Sequence, residues 1–165
     1  MTVTGLTGAS GRLGRLVAAS LSASANLADI VLGTRRPEIV REIVGPQPRV
    51  RFVDFDDPAS LSAAFSGVDR LLVISTDSVG QRVSQHGAAF AAAAGAGVQR
   101  VIYTSMLKPT EAHPCVPLAR DHRATESLLR DSGLAWTILR FGFFAEVLVA
   151  AAERAIALGL SLIHI

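Results

Sequence analysis

Short runs of apolar, often β-branched positions alternate along this chain with longer stretches in which apolar residues recur every three or four places. The first run starts at Val3, passes Gly8, Gly11 and Gly14 at three-residue spacing, and enters a stretch containing Leu13, Leu16, Val17 and Leu21. That pattern predicts a strand, a tight turn and an amphipathic helix carrying those four residues on one face. A second strand is predicted over residues 30–34. Pro37 opens and Gly45-Pro46 closes a short helix over 38–44. A third strand over 50–53 leads to Asp54, Asp56 and Asp57, and Asp57-Pro58 starts a helix that Gly67 ends. Residues 70–75 form a continuous apolar run of the kind buried in parallel sheets. A long alanine-rich helix (81–96), a fifth strand (100–105), a loop (110–117), a helix (118–131), a sixth strand (135–140) and a last helix (143–158) complete the pattern. Strict alternation of strands and helices predicts an α/β fold: a parallel sheet of about six strands with helices on both faces.

Composition narrows the class. The 165 residues amount to one domain, half of them hydrophobic, with a formal net charge of +2. No block of like charge provides an electrostatic footprint for nucleic acid or a membrane surface. The single cysteine, Cys115, has no internal disulfide partner, which fits a reducing cytoplasm. Arg12 and Arg15 interrupt the N-terminal apolar region, so no signal peptide is read. The apolar stretch 141–152 contains Glu146 and is too short to span a bilayer. The expectation is a cytoplasmic protein with no nucleic-acid, membrane or metal partner.

Ligands of parallel sheets sit beyond the carboxyl ends of the strands. At the first of these ends, the turn Gly8-Ala9-Ser10-Gly11-Arg12-Leu13 and the helix dipole behind it suit a diphosphate. A glycine-rich turn without a ligand gives the same spacing. At the second end stand Arg35 and Arg36, where binders of NAD carry an acid; a guanidinium pairs with a 2′-phosphate, which favours NADPH. Asp54 ends the third strand, where a carboxylate can accept from an adenine amino group. Ile74, Ser75 and Thr76 end the fourth, where small side chains admit a ribose. Gln81, Arg82, Gln85 and His86 make two i,i+4 pairs on the next helix, read either as a flank of the cleft or as a polar solvent-facing turn.

These motifs together resemble the atypical short-chain dehydrogenase/reductase group with NmrA-like domains, nearest to the bacterial type-2 NAD(P)H:quinone oxidoreductases. The resemblance is carried by T-G-A-S-G-R-L-G from Thr7, D-F-D-D-P-A-S-L from Asp54, G-V-D-R-L-L-V-I-S from Gly67 and V-G-Q-R-V-S-Q-H from Val79. V-I-Y-T-S from Val101, D-H-R-A-T-E-S-L-L-R-D-S-G-L from Asp121 and T-I-L-R-F-G from Thr137 extend it. It implies a Rossmann-like three-layer domain over residues 1–159, with 160–165 as a tail foreign to the family and the C-terminal substrate lobe missing. It also implies NADPH bound by Gly8–Leu13, Arg35, Ile74, Ser75, Thr76, Leu139, Arg140, Phe141, Gly142, Phe143 and Phe144. Gln81, Gln85 and His86 would then border a small-molecule quinone, and a homodimer is an arrangement the resemblance allows.

The chain departs from reductases in one chemical respect. Its only tyrosine, Tyr103, and only lysine, Lys108, are five positions apart and do not form the usual catalytic pair four residues apart. A ketone needs that acid; a quinone, whose reduction gives a stabilised hydroquinone anion, needs it less. Ser105 and His122 are the candidates to assist the quinone oxygen, His122 because an imidazole donates near neutral pH. The expectation is therefore a quinone oxidoreductase with direct hydride transfer. The alternative is a non-catalytic NmrA-like regulator that senses NADP(H) and binds a protein partner.

Overall fold

The computed structural model describes residues 2–24, 26–46, 48–110, 116–142 and 144–160. Phe143, Cys115 and the tail from residue 161 onward lie outside them. The strands are β1 (Thr4–Leu6), β2 (Ile30–Thr34), β3 (Arg49–Phe52), β4 (Arg70–Val73), β5 (Arg100–Met106) and β6 (Ala135–Phe141). The helices are α1 (Arg12–Ser24), α2 (Pro37–Val44), α3 (Pro58–Phe65), α4 (Arg82–Gly95), α5 (Pro117–Arg130) and α6 (Ala145–Ala157). All strand pairs are parallel, in the order β3-β2-β1-β4-β5-β6. β1 is central, with Leu6 in register with Leu32 on one side and Leu72 on the other. The order reverses between β1 and β4, and a crevice opens there at the carboxyl ends.

The period-2 alternation of strand side chains divides the core into two layers. Val31, Leu71, Val73, Val101 and Tyr103 point to one face and pack with Leu61, Phe65, Phe90 and Leu129 of α3, α4 and α5. Ile30 and Leu32 point to the other and pack with Ala18 and Val40 of α1 and α2, with Leu72 partly buried against them. Tyr103 and Phe65 are the largest side chains buried completely.

Two details differ from the sequence reading. Leu16 is not on the buried face of α1; it is 69% exposed. The inward stripe is Gly14, Val17, Ala18 and Leu21, one position round the helix, because Gly14 lets α1 press against the turn before it. β4 stops at Val73, two residues before Ser75, and side chains take over the hydrogen bonding beyond it. β6 ends the sheet as an edge strand, with Trp136, Leu139 and Phe141 more than a third exposed, and α6 beyond it keeps Val147, Leu148 and Ile156 in solvent. No described helix is long and apolar enough to cross a membrane.

Candidate functional site

The turn after β1 is built on close backbone contacts. Gly8 adopts φ +68°, the left-handed region that a side chain rarely tolerates, and its carbonyl accepts from Gly11 N at 2.9 Å. A Cβ on Gly14 would lie 2.0 Å from that same carbonyl oxygen, so only glycine lets α1 start here. Ala9 N donates to Gly33 O at 3.1 Å and Thr34 Oγ1 donates to Ser10 Oγ at 2.8 Å, tying the turn to β2. The start of α1 therefore opens toward a cleft of about 360 Å³.

Gly8, Ser10, Gly11, Arg12, Leu13, Arg35, Asp54, Ile74, Ser75 and Thr76 all line this first cleft; Ala9 is buried beneath it. Arg36 also lines it, so three guanidinium-bearing side chains (Arg12, Arg35 and Arg36) border one end. Past the neighbouring strand β3, Asp54 Oδ1 accepts from Asp56 N at 3.1 Å, while Asp57 caps α3 by accepting from Ala59 N and Ser60 N. The cleft is thus cationic at the end of β2 and acidic at the end of β3.

The wall beyond β4 is held by side chains from β5, α4 and α5 and from the turn after β1. Ile74 N donates to Thr7 Oγ1 (3.1 Å), Ser75 N to Thr104 Oγ1 (2.9 Å) and Thr76 N to His86 Nε2 (3.1 Å). Arg82 Nε donates to Thr76 O at 2.7 Å, and its head lies 3.8 Å from Asp121, whose carboxylate also accepts from Gly80 N. The helix face read as a cleft flank or a solvated turn is mostly a buried brace, and only Gln85 of it reaches a cleft. Arg82, Gln85 and His86 are all buried. His86 lines neither cleft; burial first, then the Arg82 and His122 charges, lower its pKa to about 3 and keep it a neutral acceptor. Gln81 is exposed at the start of α4 and also lines neither cleft. Gln85 lines the first cleft and donates to both Asp56 oxygens, so it stands at the dinucleotide side rather than the substrate side.

A second cleft of about 410 Å³ adjoins the first and shares Leu13, Ile74 and Ser75 with it. Its walls are mostly apolar: Met106, Leu107, Leu118, Phe141, Phe144 and Val147, with Gly142 at the rim. Ser105 and His122 supply polar groups. Ser105 Oγ donates to Glu126 Oε1 at 2.7 Å, and Tyr103 Oη lies 2.8 Å from His122 Nδ1. Burial, then the Arg82 charge, lower the His122 pKa to about 4. Leu139 and Arg140 line neither cleft. Strand alternation points Arg140 at α5, where its guanidinium makes two bonds to Glu126 at 2.9 and 2.7 Å, and Leu139 points away on the sheet's other face. Burial would raise the Glu126 carboxyl, but hydrogen bonds from Arg140, Ser105 and Arg130 outweigh it and hold the pKa at about 2.

The sequence reading placed Arg82 on a cleft flank or a solvated turn, whereas it is buried, and it missed Asp121 and Glu126 altogether; all three brace the site without lining it. No local pattern marks them, because each partner comes from a distant segment. The acceptor roles of Thr7, just past β1, and Thr104, in β5, were equally hidden, since a threonine in or beside a strand reads as a β-former.

The profile of a family described as NAD(P)H-binding matches residues 8–155. Quinone oxidoreductase 2 of Escherichia coli is 39% identical over 151 residues, covering 92% of this chain and 52% of the relative. An NmrA-like family domain-containing oxidoreductase of Aspergillus flavus is 32% identical, covering 86% of this chain and 48% of the relative. Among solved structures, the E. coli NADPH-dependent quinone oxidoreductase complexed with NADPH superposes with a TM-score of 0.86 at 38% identity, covering 95% of this chain and 55% of that one. The Citrobacter triphenylmethane reductase complexed with NADP(H) gives 0.84 at 33% identity, covering 93% and 54%. The chain thus spans about half the length of the relatives it matches. A glycine turn, a strand order and a crevice that all agree with these matches leave one assignment: the chain belongs to the NAD(P)H-binding family with NmrA-like domains.

Proposed function

We propose that this protein binds NADPH in the first cleft and delivers its hydride to a quinone in the second. The observation that carries the reading is the junction of the two clefts at Leu13, Ile74 and Ser75. A dinucleotide laid from the arginines across the glycine turn would bring its reactive end to that junction. The site fits such a ligand: among the described residues, Thr76 Oγ1 and Gln85 Oε1 are buried polar atoms without a partner, and both residues line the first cleft. The tight contact at Gly14 leaves the turn and the start of α1 open on the cleft side.

The residues divide the work. The turn from Gly8 to Leu13 would hold the diphosphate, Arg35 and Arg36 the 2′-phosphate, and Asp54 the adenine amino group. Bound NADPH would supply two electrons as a hydride. The apolar walls at Met106, Leu118, Phe141 and Phe144 would exclude water and stack a flat ring. Tyr103 cannot act as a reductase acid, because it is fully buried and its hydroxyl is engaged by His122. Ser105 donates its hydroxyl hydrogen bond to Glu126, so toward a ligand it accepts and does not donate. This suits an acceptor whose reduced anion takes its proton from water. The relatives that carry quinone and azo reductase names favour catalysis over a purely regulatory role, and a cytoplasmic setting accompanies the reading.

Oxidation of NADPH by the purified chain in the presence of a soluble benzoquinone tests the proposal. Turnover that is faster with NADPH than with NADH is expected. A folded chain that binds NADPH and turns over no quinone would overturn the catalytic reading.

A further inference from the structure

Tyr103 is the largest buried side chain of the domain, and its hydroxyl lies deep in the core between β5 and α5. A buried phenol must place its proton on an acceptor. His122 Nδ1 is 2.8 Å away. The neighbouring Thr125 hydroxyl is buried and meets no partner at hydrogen-bonding geometry, and its effect on the phenol is to lower the pKa, the sense of a donor, so His122 Nδ1 is the acceptor at bonding distance. Burial outweighs the opposing influence of Thr125 and Arg82 and drives the phenol's pKa well above its ordinary value, so Tyr103 keeps its proton and donates it. Nδ1 must then be the unprotonated nitrogen of His122, and the ring proton resides on Nε2. The opposite tautomer would leave the phenol proton buried and unpaired.

The rest of the second cleft makes this proton matter. Ser105 spends its hydrogen on Glu126, and Thr104 Oγ1 accepts from Ser75 N and points its own hydrogen at Ser75 Oγ, 3.4 Å away. His122 lines the cleft, its Nδ1 is engaged on the core side, and Nε2 has no protein partner among the described residues. We infer that Tyr103 is a positioning residue that locks His122 as the Nε2–H tautomer, so that the second cleft offers a neutral imidazole N–H to the acceptor oxygen of its ligand. This deepens the quinone proposal and rests on it. A neutral donor of this kind strengthens its hydrogen bond as negative charge develops on the quinone oxygen, without transferring a proton itself.

The test reads the tautomer directly. Long-range ¹H–¹⁵N correlation spectra of the labelled full chain near pH 7, with His122 assigned by a His122→Gln variant, report which ring nitrogen carries hydrogen. The expected wild-type result is a single Nε2–H tautomer, with Nδ1 shifted as a hydrogen-bonded acceptor. In Tyr103→Phe, the His122 signals should move to the averaged values of exchanging tautomers. A wild-type Nδ1–H tautomer would overturn the inference, and so would a folded Tyr103→Phe variant that keeps His122 locked. If Tyr103→Phe fails to fold, the wild-type spectrum still decides. Adding a soluble benzoquinone should perturb His122 Nε2 more than Nδ1; equal or no perturbation, with turnover observed, overturns the donor role. Absence of turnover beside the expected tautomer would overturn the quinone reading and leave the tautomer lock standing.

Discussion

At the scale of single residues, charge and geometry divide the first cleft into recognisable ends. Arg35 and Arg36 both border it, and Arg36 N is fixed by Thr34 Oγ1 at 3.0 Å, which holds the backbone of the pair in place. A guanidinium–phosphate pair discriminates between cofactors because NADH offers it nothing to bind. Replacing Arg35 by Ala is expected to weaken NADPH binding roughly 10-fold while changing NADH less than about 3-fold, and the Arg35/Arg36 double variant should erase the preference. Titration of intrinsic or nicotinamide fluorescence measures both; equal losses for the two cofactors would show that the 2′-phosphate sits elsewhere. The arginines were legible in the sequence because they follow a strand end that topology had already marked. His86 was not. Its place on α4 looked like a cleft flank, but its ring reaches inward to Thr76 N, a contact set by the depth of the α4–β4 packing and invisible to an i,i+4 pattern.

At the scale of elements, the contact between α1 and the glycine turn is the tightest constraint in the site. A methyl group at Gly14 would meet Gly8 O at 2.0 Å, Gly8 C at 2.8 Å and Ala9 Cα at 2.9 Å, all of them backbone. Gly14→Ala is therefore expected to cost about 3 kcal/mol and to reduce NADPH affinity at least 10-fold, read by urea denaturation and by titration. Gly95→Ala is the matched control: at the end of α4 its methyl group meets nothing within 4 Å, so it should leave affinity unchanged and stability equal or slightly raised, by about 0.5 kcal/mol. Element order and most boundaries were readable from alternation, turn residues and caps. The face of α1 was misjudged by one position, since hydrophobicity favoured Leu16 whereas the structure buries the small residues Gly14 and Ala18. β4 also ends earlier than its apolar run suggested, because Ile74, Ser75 and Thr76 find side-chain partners in place of strand neighbours.

At the scale of the whole molecule, three buried titratable groups bind fewer protons folded than unfolded. His86 and His122 are lowered from 6.5 to about 3 and about 4, and Glu126 from 4.5 to about 2. Each therefore contributes stability that is complete above its unfolded pKa and is lost as pH falls through its folded value. For the histidines the loss begins below pH 6.5 and grows toward pH 5; Glu126 adds its share below 4.5. Thermal unfolding should show a level Tm above about pH 7 and a steady fall toward pH 5, which His122→Gln should make shallower. A Tm unchanged down to pH 5 would mean the two rings are accessible and charged in the folded state.

The most direct measurement for the account as a whole is the thermal unfolding of the full 165-residue chain with and without NADPH. It asks at once whether the domain folds cooperatively and whether the first cleft takes this dinucleotide. At 100-fold excess over Kd, binding contributes about 2.7 kcal/mol, which for a chain of this size raises Tm by about 5–10 °C. NADH at the same concentration should give a smaller shift. A cooperative transition that NADPH leaves unmoved at millimolar concentration would contradict the account.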